Sequence, residues 1–352
     1  MTRRQTPVDA SRRRGKPTII DVATLAAVHP STVSRALNPD AQSKVSPATV
    51  SRVLEAARQL GYQPNPLARG LKVGSTSTVG MLIPDLTNPL FPPIVRGIED
   101  RLREAGWTLL ITNTDNDEEK EGELLGNMLA QRVDGLILAT ARRDYPLLDE
   151  VLETGLPLVL VNRTSERPSA SSVTPDDYAG IGAAVGHLVR LGHREIAYVG
   201  GPRTLSTGLN RYQAFVSSLH NENLELDDRR ICFAEEFQEE RSVAAFEQLL
   251  DRGAKFTAVV CGNDLIALGG YDVLTARGLS IPTDVSIVGY NGIPFCDKFS
   301  PPLTSVQVPQ YHIGVTAADL FLELTANRDR PPRSVSLRPE LVVRKSTAPP
   351  HP

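Results

Sequence analysis

The 352-residue sequence predicts a small all-α domain followed by a larger α/β body built on parallel sheets. Three observations lead there. Helix-start signals recur through the first 60 residues, which contain no β-type run. From Thr78 onward, apolar β-type runs alternate with helical patterns, the mark of parallel strands covered by helices on both faces. Charge divides at the same place: residues 1–74 hold twelve Lys/Arg against four Asp/Glu, a formal +8. The remainder holds 26 against 37, or −11, which gives the net −3 of the whole chain. A basic module fused to an acidic body implies a polyanionic partner for the first part only.

Composition excludes several classes. A hydrophobic fraction of 41% and a charged fraction of 22% are ordinary for a globular protein. No apolar run approaches the roughly 20 residues that span a bilayer, so no membrane partner is expected. "MTRRQTPVDASRRRGKP" is basic but lacks the apolar core of a secretory signal. Cys232, Cys261 and Cys296 are odd in number and widely spaced, which suits a reducing cytoplasm. Six scattered histidines without HExxH give no metal site, and no cofactor is expected.

The elements follow in order. Residues 1–17 read as a basic disordered tail. Thr18 with Asp21 three positions later starts a helix on which Val22, Leu25 and Ala26 share a face. In "HPSTVSRALN", Pro30 suits the first helical position. That helix buries Val33, Ala36 and Leu37 and turns Ser31, Thr32, Ser34 and Arg35 outward, with no carboxylate to pair the arginine. Ser46–Pro47 repeats the signal for a third helix, with Val50, Val53, Leu54, Ala57 and Leu60 as its stripe and Gly61 as its stop. Two short helices joined by a tight turn and braced by a third form the helix-turn-helix plan, expected over residues 18–63. The second helix then enters the major groove, where hydroxyls reach phosphates and an unpaired arginine can bind guanine O6 and N7. His29 caps poorly as a residue type and is expected simply to be exposed.

Residues 64–74, "PNPLARGLKVG", allow about a turn and a half of helix after Asn65 and Pro66, well below the ~12–15 residues an isolated helix needs. A linker is expected in the free protein. The β-type runs beyond it are 78–83, 108–112, 133–139, 157–161, 195–199, 257–261 and 285–290. There is no P-loop and no GxSxG. "GIGAAVG" (180–186) follows "PDDYA" rather than a strand, and Val185 fills the last Gly/Ala position of GxGxxG. Its small residues serve close helix packing, and no enzyme is indicated.

"TIIDVATLAAVHPSTVSRALN", "VSPATVSRVLEAARQLGYQPNPLARGLKVG", "VGMLIPDLTNPLF", "HLVRLGHREIAYVGGP", "CGNDLIALG" and "DVSIVGYN" stand in this order over residues 18–291. Together they resemble the LacI family of bacterial transcription regulators. The resemblance implies a helix-turn-helix headpiece, a hinge over 64–74, and an effector-binding and dimerisation domain over 75–352 like a type I periplasmic sugar-binding protein. Lobe one would take about 75–174 plus 305–332, and lobe two about 175–304 plus 333–345. DNA contacts would fall at Thr18, Pro30, Ser31, Thr32, Ser34, Arg35, Asn65, Arg69, Leu71 and Lys72, with Leu71 as a minor-groove wedge. Gly70 stands where serine is more usual and makes ordering of the hinge costlier. Effector contacts would fall at Asp85, Leu90, Phe91, Asn162, Arg211, Phe237, Asn263 and Asn291. Phe237 lies in "EEFQEE", too polar a setting for core. Asn291 replaces an aspartate common in the family, and Val308 stands where polar residues often close the site. The resemblance further implies a homodimer on a pseudo-palindromic double-stranded operator and a small-molecule effector, a sugar, a sugar phosphate or a nucleoside. The C-terminus "LVVRKSTAPPHP" lacks a leucine heptad, so no tetramer is expected.

Overall fold

The computed structural model describes residues 17–62, 75–167 and 169–351. The chain divides into two compact units, Met1–Thr76 and Ser77–Pro352. In the first, α1 (Ile19–Leu25) begins on a complete capping box: Thr18 Oγ1 accepts from the Asp21 N–H, and the Asp21 carboxylate accepts from the Thr18 N–H. The turn that follows passes Ala27 at φ 51°, the left-handed region. Helix α2 (Pro30–Ala36) and, after a 3-10 stretch over Pro39–Lys44, α3 (Pro47–Leu60) complete the unit. Gly61 ends α3 at φ 63°. Val22, Ala23, Ala26, Val33, Ala36, Val53, Ala56 and Ala57 form the core. Leu25 and Leu54, expected inside, are instead about half exposed, and Leu37 packs only partly, beyond the end of α2.

The second unit holds two six-stranded sheets. The first runs β1 (Thr78–Ile83), β2 (Thr108–Asn113), β3 (Gly135–Leu138), β4 (Leu158–Val161) and β5 (Ser171–Pro175), with β11 (Ser334–Leu337) added late, in the order β11-β5-β4-β3-β1-β2. All of its pairs are parallel. The second comprises β6 (Ile196–Gly200), β7 (Ile231–Phe233), β8 (Ala258–Cys261), β9 (Ser286–Asn291), β10 (Thr304–Gln307) and β12 (Glu340–Val342), in the order β12-β10-β9-β8-β6-β7. Only β12 runs antiparallel, against β10. β3, β4 and β8 are buried along their whole length, as continuous apolar strands covered on both faces must be.

The chain passes between the sheets three times: after Pro175, between Gln307 and Gln310, and between Leu337 and Glu340. This moves two of the expected lobe boundaries. β10 pairs with β9 and therefore stays in the second lobe, so the crossing falls after Gln307 rather than at 305. β11 pairs with β5 and therefore belongs to the first lobe, so the return falls after Leu337 rather than at 333.

The helix Gln310–Ala326 lies against Phe91–Glu104 with backbones nearly touching. A Cβ at Gly97 would sit 2.2 Å from the Tyr311 carbonyl oxygen, and one at Gly314 would sit 2.1 Å from that of Ile94. The small residues of "GIGAAVG" lie on the helix Asp177–Leu191, where a Cβ at Gly180 would meet the Tyr290 ring at 2.8 Å. Close packing accounts for Gly180 in particular. Among the described residues no helix is long and apolar enough to cross a membrane.

Candidate DNA-contacting helix and effector cleft

The outward face of α2 carries the side chains selected from sequence. Arg35 is exposed in the last turn and makes no ion pair with any described residue. Asp21, on α1, is committed to Thr18, whose hydroxyl donates to it at 2.7 Å and helps hold its carboxyl below the usual range. Thr32 and Ser34 are half-buried beside Arg35. His29, expected to be merely exposed, is exposed but also caps the helix. Its Nδ1 accepts from the Ser31 N–H at 3.2 Å and lies 2.8 Å from the Ser31 hydroxyl. An imidazole lone pair thus does the work usually given to a serine or aspartate oxygen. Lys44 and Arg52 also stand exposed without a carboxylate partner among the described residues, and the sequence reading passed over both. Asn65, Arg69, Leu71 and Lys72 lie outside the described residues.

The eight candidate effector residues converge at the carboxyl ends of the two sheets, where doubly wound folds bind ligands. Two adjoining recesses share Asn88, Phe91, Arg163 and Phe237. The outer one, about 220 Å³, takes in Asp85 and also Arg142, Glu235 and Glu236. The inner one, about 10 Å³, is lined by Leu90, Asn162, Arg211, Asn263 and Asn291, together with Thr207.

Each wall is fixed by local structure. Asn162 and Asn291, at the ends of β4 and β9, stand at φ 66° and 105°, where a non-glycine residue costs free energy and marks a constrained site. Asp264 braces the second of these turns. It accepts from the Ile293 N–H at 2.9 Å and from the Ser305 hydroxyl, which itself accepts from the Gly292 N–H at 3.2 Å. Burial raises the Asp264 carboxyl to about 6. Asn263 is occupied structurally: its Oδ1 accepts from the Ile266 N–H at 2.8 Å and its amide donates to the Phe237 carbonyl at 3.4 Å. Asp85 accepts from the Thr87 N–H at 2.8 Å and the Thr87 hydroxyl at 2.6 Å.

Arg211 is 2% exposed and mostly committed inward. Its Nε donates to Asp177 Oδ1 at 3.0 Å and Nη1 to the Gly262 carbonyl at 2.7 Å, while the guanidinium lies 4.0 Å from the Tyr290 ring centroid. Burial pushes the Asp177 carboxyl up even against this arginine. Four buried polar atoms at the inner recess find no hydrogen-bond partner among the described residues: Asn162 Oδ1, Arg163 Nε, Arg211 Nη2 and Asn291 Oδ1. Buried groups of this kind are rarely left unsatisfied without a reason.

Arg163, beside Asn162, joins the recess although no sequence motif points to it. A charged residue two positions beyond the buried "LVLV" of β4 was the available signal. Arg142 was missed as well. It is held by Glu121 at 2.8 Å and Glu118 at 3.1 Å. At the cleft rim, Arg143 joins the lobes, its N–H donating to the Thr204 carbonyl at 3.2 Å and its guanidinium to the Arg203 carbonyl at 3.1 Å. The Thr164 N–H donates to the Ser206 hydroxyl at 2.9 Å alongside. Among the described residues no cluster of three or more His, Cys, Asp or Glu side chains could hold a metal.

Comparison with known proteins finds two family models. "Bacterial regulatory proteins, lacI family" matches residues 18–65, and "Periplasmic binding proteins and sugar binding domain of LacI family" matches residues 76–341. The HTH-type transcriptional repressor PurR of Aliivibrio salmonicida is 34% identical over 330 residues, 94% of this chain and 98% of the relative. PurR of Photobacterium profundum is 32% identical with the same coverage. Among solved structures, a lac repressor dimer bound to operator and the anti-inducer ONPF aligns with a TM-score of 0.84 at 28% identity, over 95% of this chain and all of that one. A complex of the transcriptional regulator CelR with cellobiose aligns at 0.73 and 32% identity, over 94% and 99%.

Proposed function

Since the chain belongs to the LacI family of bacterial regulatory proteins, we propose that it represses a catabolic operon and that a small hydroxylated effector sets its affinity for the operator. As a member it is a DNA-binding transcriptional repressor with an effector-binding domain, and not an enzyme. Arg35 is the base-reading side chain, supported by its exposure and by the lack of an acidic partner among the described residues. Pro30 offers bases no polar side chain, so specificity leans on Ser31, Arg35 and DNA shape. Thr18, Thr32 and Ser34 approach phosphates, and Asn65, Arg69, Leu71 and Lys72 serve a hinge that orders on DNA. Two headpieces reading a pseudo-palindrome require a two-fold dimer, the state in which the lac repressor was solved on its operator. The protein works in the cytoplasm, on the nucleoid.

The effector sits between the lobes. The observation that carries this is the set of buried polar atoms, unpartnered among the described residues, that converge there from just beyond β4, from the end of β9 and from the helix Ser206–Asn221. Amides and guanidinium groups with an aromatic wall suit a hydroxylated ring, and the cellobiose held by CelR supports a sugar-like ligand. Selection of bound DNA from a random pool, with and without a metabolite panel, tests the whole reading. A two-fold symmetric consensus whose recovery shifts with one metabolite supports it. Recovery without sequence preference sinks it.

A further inference from the structure

We propose that the cleft takes a small polyhydroxylated anion, a sugar acid or a phosphorylated sugar, in preference to a neutral sugar. This rests on the reading of the cleft as the effector site and narrows it to a ligand class. The inner recess is lined by two arginines and no carboxylate. Arg211 is neutralised by Asp177 behind it. Arg163 is not neutralised: it is 7% exposed, has no ion-pair partner among the described residues, and leaves its Nε without an acceptor there.

The nearby acids are spent elsewhere. Glu121 is fully buried and accepts from both Arg142 and the Tyr145 hydroxyl. At the outer mouth Asp85 holds Thr87, Glu236 faces Arg241 at 3.9 Å, and Glu235 is open to solvent. Burial, and then the charges of Arg142 and Arg211, pull the Arg163 pKa down to about 10, with Glu121 alone opposing them. A buried guanidinium without a counter-charge is costly, and an anion removes that cost through charge-assisted hydrogen bonds.

The acceptors complete the match. Asn162 Oδ1 and Asn291 Oδ1 are buried and unpaired, and an amide oxygen needs a donor. Hydroxyl groups supply donors, while a carboxylate or phosphoryl oxygen supplies acceptors for Arg163 Nε and Arg211 Nη2. A neutral sugar meets the amides but leaves Arg163 uncompensated. A bare inorganic anion meets the arginines but leaves the amides unsatisfied.

Calorimetry on the full chain with gluconate, glucose 6-phosphate and glucose tests this, the two anions separating a carboxylate from a phosphate source. At least one anion should bind about tenfold or more tighter than glucose, and Arg163→Gln should erase that preference. Asn291→Asp, a near-isosteric change that adds a carboxylate to the recess, should weaken the anion by about tenfold relative to glucose. This second variant stands in if Arg163→Gln fails to fold. Glucose binding as tightly as both anions, or no anion binding at all, overturns the anion class and leaves the cleft as effector site standing. An anion that binds the wild type and both folded variants equally lies elsewhere, and the effector-site reading then fails with it.

Discussion

Arg35→Ala is expected to cost about 1–3 kcal/mol on the cognate operator and to relax base preference at one position of each half-site. Titration against cognate and random duplexes decides it, since an equal loss on both makes Arg35 a phosphate contact only. Arg211 behaves differently. Its removal strands Asp177, a buried carboxylate, so Arg211→Ala should destabilise the body by about 3–5 kcal/mol, read by chemical denaturation. An unchanged midpoint would mean that Asp177 is not charged in the fold. Asp264 has a pH signature. Its folded pKa is raised to about 6 from 3.8, so the folded state holds that proton more tightly than the unfolded chain. The group therefore favours folding most at low pH, and this contribution is lost as pH rises through about 6. Relative to Asp264→Asn, the wild type should lose stability over that window, and parallel profiles would refute the assignment. At this scale Asn162 and Asn291 were legible through the motifs around them. Arg163 was not, because a lone charge after a strand reads as a solvated loop residue until burial is known. Nor could sequence show that Asn263 is occupied by its own helix and by Phe237.

Among the elements, the turn between α1 and α2 holds Ala27 at φ 51°. An L-residue pays roughly 1–2 kcal/mol there and glycine does not, so Ala27→Gly should raise the thermal midpoint of the headpiece. A lowered midpoint would place the residue outside the left-handed region. Headpiece helices were readable because their starts are written locally, in Thr18 with Asp21 and in Ser46–Pro47. The cap at His29 was not, since it depends on the imidazole rotamer that brings Nδ1 to the Ser31 N–H. Long apolar strands such as β1 and β9 matched their predicted runs, whereas β5, "SSVTP", β10, "TSVQ", β11, "SVSL", and the three-residue β7 and β12 were missed. Serine and threonine give no hydrophobic signal, and edge strands this short are defined by their neighbours rather than by their own residues.

For the molecule as a whole, effector and operator must influence each other equally. Whatever factor the ligand imposes on operator affinity, the operator imposes on ligand affinity, with typical couplings of about 1–3 kcal/mol. Calorimetry of the ligand with and without operator duplex measures one side and a gel shift the other; unequal factors would show that a third species is involved. The two-lobed plan was legible from ordered motifs, but lobe membership from residue 305 onward was not, because it rests on pairing between strands far apart in sequence. The same late pairing constrains how the protein is made. The first sheet stays open at one edge until β11 emerges around residue 334, and the second until β12 at 340. On the ribosome, the headpiece can therefore fold early while both sheets wait, their closing strands arriving within a few residues of each other. A message cut short before codon 334 would yield a chain with a DNA-reading helix and two unfinished sheets, bound for aggregation or degradation rather than for a permanently silenced operon.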